Sequence, residues 1–153
     1  MLDIVLVAFG AIKNKNYQAA ANEYLKRLSP YARIKVVEIS PVSFSRSNHL
    51  SAQKQETKKL QEILAKYSQH QIIILDENGQ SLDSLTFAQK LAKINSPLLL
   101  VIGAPLGFSP EIKAAYPSWS LSPLTMPHEL ARVVLLEQLY RVTTIINNKE
   151  YHY

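Results

Sequence analysis

Pro97-Leu98-Leu99-Leu100-Val101-Ile102-Gly103-Ala104-Pro105-Leu106-Gly107 opens on an unbroken apolar run and ends in a turn bracketed by two glycines. A short continuous apolar run closed by turn residues reads as a strand buried on both faces. The chain has only four glycines, Gly10, Gly79, Gly103 and Gly107, so two of them fall within five residues of each other here. Glycine after such a strand permits positive φ or close approach of a ligand to the backbone. Working outward, residues 2–8 form a β-rich run ending at Gly10, and residues 34–39 read as another strand. Residues 71–75 hold three consecutive isoleucines and a leucine, closed by Asp76 and the turn pair Asn78-Gly79. Residues 118–121 alternate polar and apolar, as a short last strand would.

Helical periodicity fills the intervals. Tyr17, Ala20, Ala21, Tyr24, Leu25 and Leu28 share one face of residues 17–28, with Pro30 as a stop. Residues 51–67 form a polar helix with Leu60, Ile63 and Leu64 as its stripe, and residues 84–94 form another. Ser109 and Pro110 suit the N-cap and first turn of a short helix at 111–116, ended by Pro117. One long helix without glycine or proline runs over residues 128–147. Residues 41–50 are Ser-rich and basic, a loop by composition. Strand and helix alternate about five times, the pattern of a parallel α/β sheet. The expectation is a single α/β domain over residues 1–153, with a parallel sheet flanked by helices.

Composition excludes several chemistries. The 153 residues contain no cysteine, which removes disulfides, thiolate zinc sites, iron–sulfur clusters and cysteine nucleophiles. No G-x-G-x-x-G, Walker-type loop, H-E-x-x-H or G-x-S-x-G is present, and the four histidines show no metal-ligand spacing, so no metal is expected. No apolar stretch approaches the roughly 20 residues that span a bilayer. With no secretory leader, a cytoplasmic protein free of membrane is expected. Residues 1–70 hold 11 basic and 5 acidic side chains, whereas residues 71–153 hold 6 and 7. That asymmetry suits a polyanion-facing surface joined to a site of another kind, or a basic face kept for solubility.

Open α/β sheets bind ligands beyond the carboxyl ends of their strands. The turn at 103–107 is one such place. The stiff proline-flanked loop Leu121-Ser122-Pro123-Leu124-Thr125-Met126-Pro127 is another, suited to hold a planar base by backbone groups and apolar walls. His128 opens the long helix. Leu130, Val133, Val134, Leu135, Leu136, Leu139, Val142, Ile145 and Ile146 make that helix apolar on more than one side, which calls for a second partner such as a copy of itself. Glu137 and Arg141 are one turn apart, either a local ion pair or an arginine aimed at phosphate. The terminus, Tyr151-His152-Tyr153, could stack on a base or simply dock.

Taken together, residues 102–107, residues 121–128, Glu137-Gln138-Leu139-Tyr140-Arg141 and Tyr151-His152 resemble the RlmH-type ribosomal RNA methyltransferases of the SPOUT superfamily. The first strand and Glu23-Tyr24-Leu25-Lys26-Arg27-Leu28 with Tyr31 extend the likeness over nearly the whole chain. The resemblance implies a homodimer with a C-terminal trefoil knot and S-adenosylmethionine as methyl donor. Its substrate would be a pseudouridine of 23S ribosomal RNA, methylated at N3 on the assembled 70S ribosome. The donor site it implies comprises Leu75, Gly103, Ala104, Gly107, Leu121, Ser122, Pro123, Leu124, Thr125 and Met126. Catalytic roles fall to His152, Arg141 and Tyr151, near the partner subunit's donor site. His152 is a candidate base for the imide proton, and Arg141 could stabilise charge developing on the ring.

The chain departs from the family pattern at Ala104, where a second glycine is usual, and at Leu106. A positive φ at Ala104 would strain it by about 1 kcal/mol or more, whereas a negative φ would only narrow the donor pocket. Two alternatives remain: a donor-deficient RNA-binding relative without catalysis, and a generic α/β nucleotide-binding or signalling domain.

Overall fold

The computed structural model describes residues 1–152. Five parallel strands, β1 (Leu2–Phe9), β2 (Ala32–Ile39), β3 (Gln71–Ser81), β4 (Leu98–Ile102) and β5 (Ser118–Ser120), make one sheet in the order β2-β1-β4-β3-β5. The helices are α1 (Lys15–Leu28), α2 (His49–Ala65), α3 (Ser84–Ala92), α4 (Pro110–Ala115) and α5 (His128–Ile146). Successive crossovers reverse direction along the sheet, and a right-handed connection then places successive helices on opposite faces. Accordingly α1 and α3 pack on one face, where the C-terminal α5 joins them, against Ile4, Leu6, Ile73, Leu98 and Leu100. The helices α2 and α4 cover the other, against Val5, Val7, Ile74, Leu99 and Val101. All five residues of β4 are buried, as the unbroken apolar run requires of a central strand with helices on both sides. Cutting Leu100 back to alanine there would cost about 2–5 kcal/mol.

Side-chain caps fix the helix starts that border the strand ends. The Asn14 carboxamide oxygen accepts from the Asn16 and Tyr17 amides, and the Asp83 carboxylate accepts from Thr86 N at 2.7 Å. Ser109 Oγ accepts from Ile112 N, with Pro110 in the first turn, as the sequence predicts.

Two local expectations change. Asn78-Gly79 is not a turn that ends β3, because the strand continues to Ser81. Leu75 and Gln80 both pair with Trp119, so the residues between them bulge out of the ladder. A Cβ on Gly79 would lie 2.8 Å from the Ser118 carbonyl carbon, so close approach of β5 fixes glycine there. The basic segment is shorter than expected, since α2 already begins at His49.

Candidate functional site

Beyond the carboxyl ends of β3, β4 and β5 lies a cleft of about 700 Å³. Its walls are the β3 bulge, the turn after β4, and the loop from β5 into α5. The turn is tight: Gly107 N donates to Ala104 O at 2.8 Å, and Gly107 has φ 71°. Gly103 is fixed differently. A Cβ there would sit 3.1 Å from Phe108 Cε2, so the ring and the backbone pack directly. Ala104 is buried, and the only non-glycine residue with positive φ among the described residues is Asn148. Alanine at 104 is therefore unstrained.

The remaining walls are cross-braced. Thr125 Oγ1 donates to Glu77 at 2.6 Å, Ser120 Oγ donates to Glu77 O at 3.1 Å, and Lys113 pairs with Asp76 at 3.1 Å. Ser122 Oγ accepts from Leu124 N at 3.0 Å, stiffening the loop from within. Behind the turn, Gln53 Nε2 of α2 donates to Leu106 O at 3.1 Å. Lys113 neutralises Asp76, while Glu77 meets only a neutral hydroxyl among the described side chains. The cleft so keeps one carboxylate beside apolar Leu75, Ile102, Leu121 and Met126, a mixed lining that suits a ligand with both an apolar part and a positive group.

A second assembly occupies the later turns of α5. Glu137 Oε1 accepts from Arg141 Nη2 at 2.6 Å and Nε at 3.1 Å, and from the Tyr151 hydroxyl at 3.2 Å. Arg141 Nη1 lies 3.4 Å from His152 Nδ1, and its guanidinium carbon stands 4.8 Å from the Tyr151 ring centroid. Tyr140 packs edge-on against Tyr151 at 4.8 Å. Burial, then hydrogen bonding with Tyr24, pushes the Tyr151 phenol well above the usual range. Tyr151 is accordingly a hydrogen-bond donor and a stacking surface, and its phenolate is out of reach near neutrality.

Of the residues singled out by sequence for a donor site, Leu75, Gly103, Ala104, Gly107, Leu121, Ser122, Leu124, Thr125 and Met126 line the cleft, and Pro123 does not. Sequence reasoning passed over Asp76 and Glu77 as wall residues, though a polar run directly after a buried strand was the available signal. His128 also lines the cleft and opens α5 as expected, with Pro127 as the N-cap before it. Arg141, Tyr151 and His152 do come together, but none lines the cleft. From His128 to Arg141 the helix rises about 20 Å. Tyr153 lies outside the described residues.

Among the described residues, no group of three or more His, Cys, Asp or Glu could hold a metal, and no helix is long and apolar enough to cross a membrane.

A family model described as "Predicted SPOUT methyltransferase" matches residues 2–152. The chain is 38% identical to the ribosomal RNA large subunit methyltransferase H of Flavobacterium psychrophilum, across 99% of each chain. It is 40% identical to the protein of that name from Flavobacterium johnsoniae, also across 99% of each. Among solved structures, a Haemophilus influenzae protein described as a probable methylase family protein superposes with TM-score 0.58 at 14% identity, over 96% of this chain and 67% of that one. A Legionella pneumophila protein solved with the cofactor SAM bound gives TM-score 0.52 at 15% identity, over 95% of this chain and 66% of that one. The chain thus spans about two thirds of those two structures, and at such identities the likeness is one of fold.

Proposed function

The chain belongs to the SPOUT methyltransferase family, and from that premise we propose that it carries a methyl group from S-adenosylmethionine to N3 of a pseudouridine in 23S ribosomal RNA of the assembled 70S ribosome. It does so in the cytoplasm as a homodimer, folded over residues 1–153 as one domain with a C-terminal trefoil knot. The observation that carries the reading is the cleft. Two of its three walls are the loops that the family resemblance assigns to the donor, and Glu77 on the third, the β3 bulge, complements a sulfonium or an ammonium group. Relatives named for large-subunit ribosomal RNA methylation, matched along their whole length, support the RNA class.

The donor, when bound, supplies an already activated methyl group, so the protein's task is alignment and proton removal. Leu75, Gly103, Ala104, Gly107, Leu121, Ser122, Leu124, Thr125 and Met126, which line the cleft, would hold it through backbone groups and apolar contact, with Pro123 stiffening the loop from outside the cleft. The imide nitrogen must lose a proton, and His152 takes it at Nδ1, the nitrogen that Arg141 Nη1 faces, as the guanidinium turns to the charge left on the ring. Tyr151, kept protonated, donates to Glu137 and stacks under Arg141, which fixes the guanidinium. About 20 Å of helix separates this group from the cleft of its own chain, so the cluster of one subunit serves the donor cleft of its partner. The half-exposed Leu130, Val133 and Val134 and exposed Ile146 offer α5 as the contact.

The test is titration calorimetry with S-adenosylmethionine and its demethylated product, followed by methyl transfer onto unmodified ribosomes. Saturable binding and one methyl group per ribosome are expected. Failure to bind donor, with and without ribosomes, would overturn the reading.

A further inference from the structure

Between β2 and α2 the chain runs through residues 41–48, and this segment starts close to His128, a residue of the cleft wall. A Cβ on Gly10 would lie 3.8 Å from the Pro41 ring and 3.9 Å from His128 Cε1, and His128 lines the cleft. At its other end α2 follows at once, and Gln53 of α2 is bonded to the cleft turn at Leu106. The segment is braced against α2 at its root, and its tip is tied only to itself. Glu56, buried in α2, accepts from Val42 N at 3.2 Å, and Lys59 Nζ donates to Ser40 O at 3.0 Å. Asn48 Oδ1 gathers Ser45 N and Ser45 Oγ, which closes residues 45–48 into a compact turn.

What this frame holds out to solvent is specific. Phe44 is 48% exposed, one of the few large apolar side chains so placed, and Arg46 is exposed beside it. No acidic residue occurs from 39 to 55, an interval that also contains His49 and Lys54. Lys54 and Lys58, one turn apart and both exposed, continue the positive surface along α2 until Glu62 ends it. None of Arg46, Lys54 or Lys58 pairs with a carboxylate among the described residues. An aromatic face among unpaired cations is the chemistry of a nucleic-acid strand, where bases stack and phosphates are neutralised.

We propose that residues 41–48 and the first exposed turns of α2 form an RNA-contacting surface on the rim of the cleft. There Phe44 stacks on an unpaired base flanking the target, while Arg46, Lys54 and Lys58 hold the adjoining phosphates. The proposal rests on the RNA-methyltransferase reading for its setting, and its occupant is single-stranded RNA.

The full-length protein is compared with F44A, F44L, F44W and the triple variant R46Q/K54Q/K58Q, with donor calorimetry as the check on folding. Two readouts are taken: KM for unmodified ribosomes, and equilibrium binding of a fluorescent single-stranded oligouridylate across a salt series. F44A and F44L should each raise KM and weaken oligonucleotide binding about tenfold, and F44W should stay within about twofold. The triple variant should lower the slope of log K against log salt by about two. Wild-type behaviour of F44A and of the triple variant in both readouts would overturn the proposal. Rescue by F44L, with a sedimentation mass that falls in F44A, would overturn it in favour of contact between copies. If the wild-type protein transfers no methyl group yet oligonucleotide binding follows the predicted order, the surface stands and the function reading falls. Normal transfer with unchanged KM and unchanged oligonucleotide binding gives the reverse.

Discussion

The cleft at the strand ends and the cluster on the later turns of α5 are built from different materials. The cleft is shaped by backbone: a positive-φ glycine, a glycine under a phenylalanine ring, a buried alanine and a proline-flanked loop. The cluster is shaped by side chains, with one carboxylate gripping an arginine and a phenol, and a histidine at the arginine's free edge. A site made largely of main chain is sensitive to added volume and, Glu77 apart, to few charge changes. A site made of paired side chains is the reverse. The division suits a reaction in which one ligand is bound by shape and the other is acted on by charge.

The strongest way to break that comparison is Arg141→Ala. Loss of a charge-stabilising donor typically costs about 10²–10³ in kcat, and donor affinity measured by calorimetry should not follow it down. A matching loss of donor affinity would show that the cluster is part of the donor site.

Gly103→Val probes the other region. Its branched side chain must start where even a Cβ meets Phe108 at 3.1 Å. Overpacking of about 1–3 kcal/mol predicts up to about a 100-fold fall in donor affinity, with secondary structure by circular dichroism retained. Unchanged donor binding would remove the cleft from the mechanism.

Mixing the two inactive variants sharpens the comparison further. If the cluster of one subunit serves the cleft of the other, random exchange should restore about a quarter of wild-type activity, since half the dimers then carry one intact pair. No recovery, with subunit exchange verified by mass, would place both regions in service of the same chain.

Ala104→Gly carries the smallest effect. The methyl group is buried and unstrained, so removing it should lower stability by about 0.5–1 kcal/mol and leave donor affinity within about twofold. Markedly tighter donor binding would mean that the methyl group occupies ligand space.

Legibility divides along the same line. The apolar run at 98–102 determined a central buried strand, because nothing else accommodates five consecutive apolar residues bounded by proline and glycine. Helix faces, the Ser109-Pro110 start and the Glu137–Arg141 pair follow from spacing within a few residues, and the structure contains them. Asn78-Gly79 was misleading for a physical reason: its turn propensity is local, and pairing with the distant β5 (Gln80 with Trp119, Ser81 with Ser120) overrode it. The acidic wall residues carried no periodic signal, since a bulge has no period.

By itself, then, the sequence determined the alternation of strands and helices, the basic first half and the side-chain pairs made within one turn of helix, all set by short-range geometry and solvation. Only the tertiary structure decided that Ala104 adopts an unstrained backbone, that Gly103 must yield to Phe108, and that the turn at 103–107 meets the loop at 121–128 and the bulge of β3 in one cleft. Those outcomes depend on which strand lies beside which, and adjacency across a sheet is fixed by packing of the whole chain.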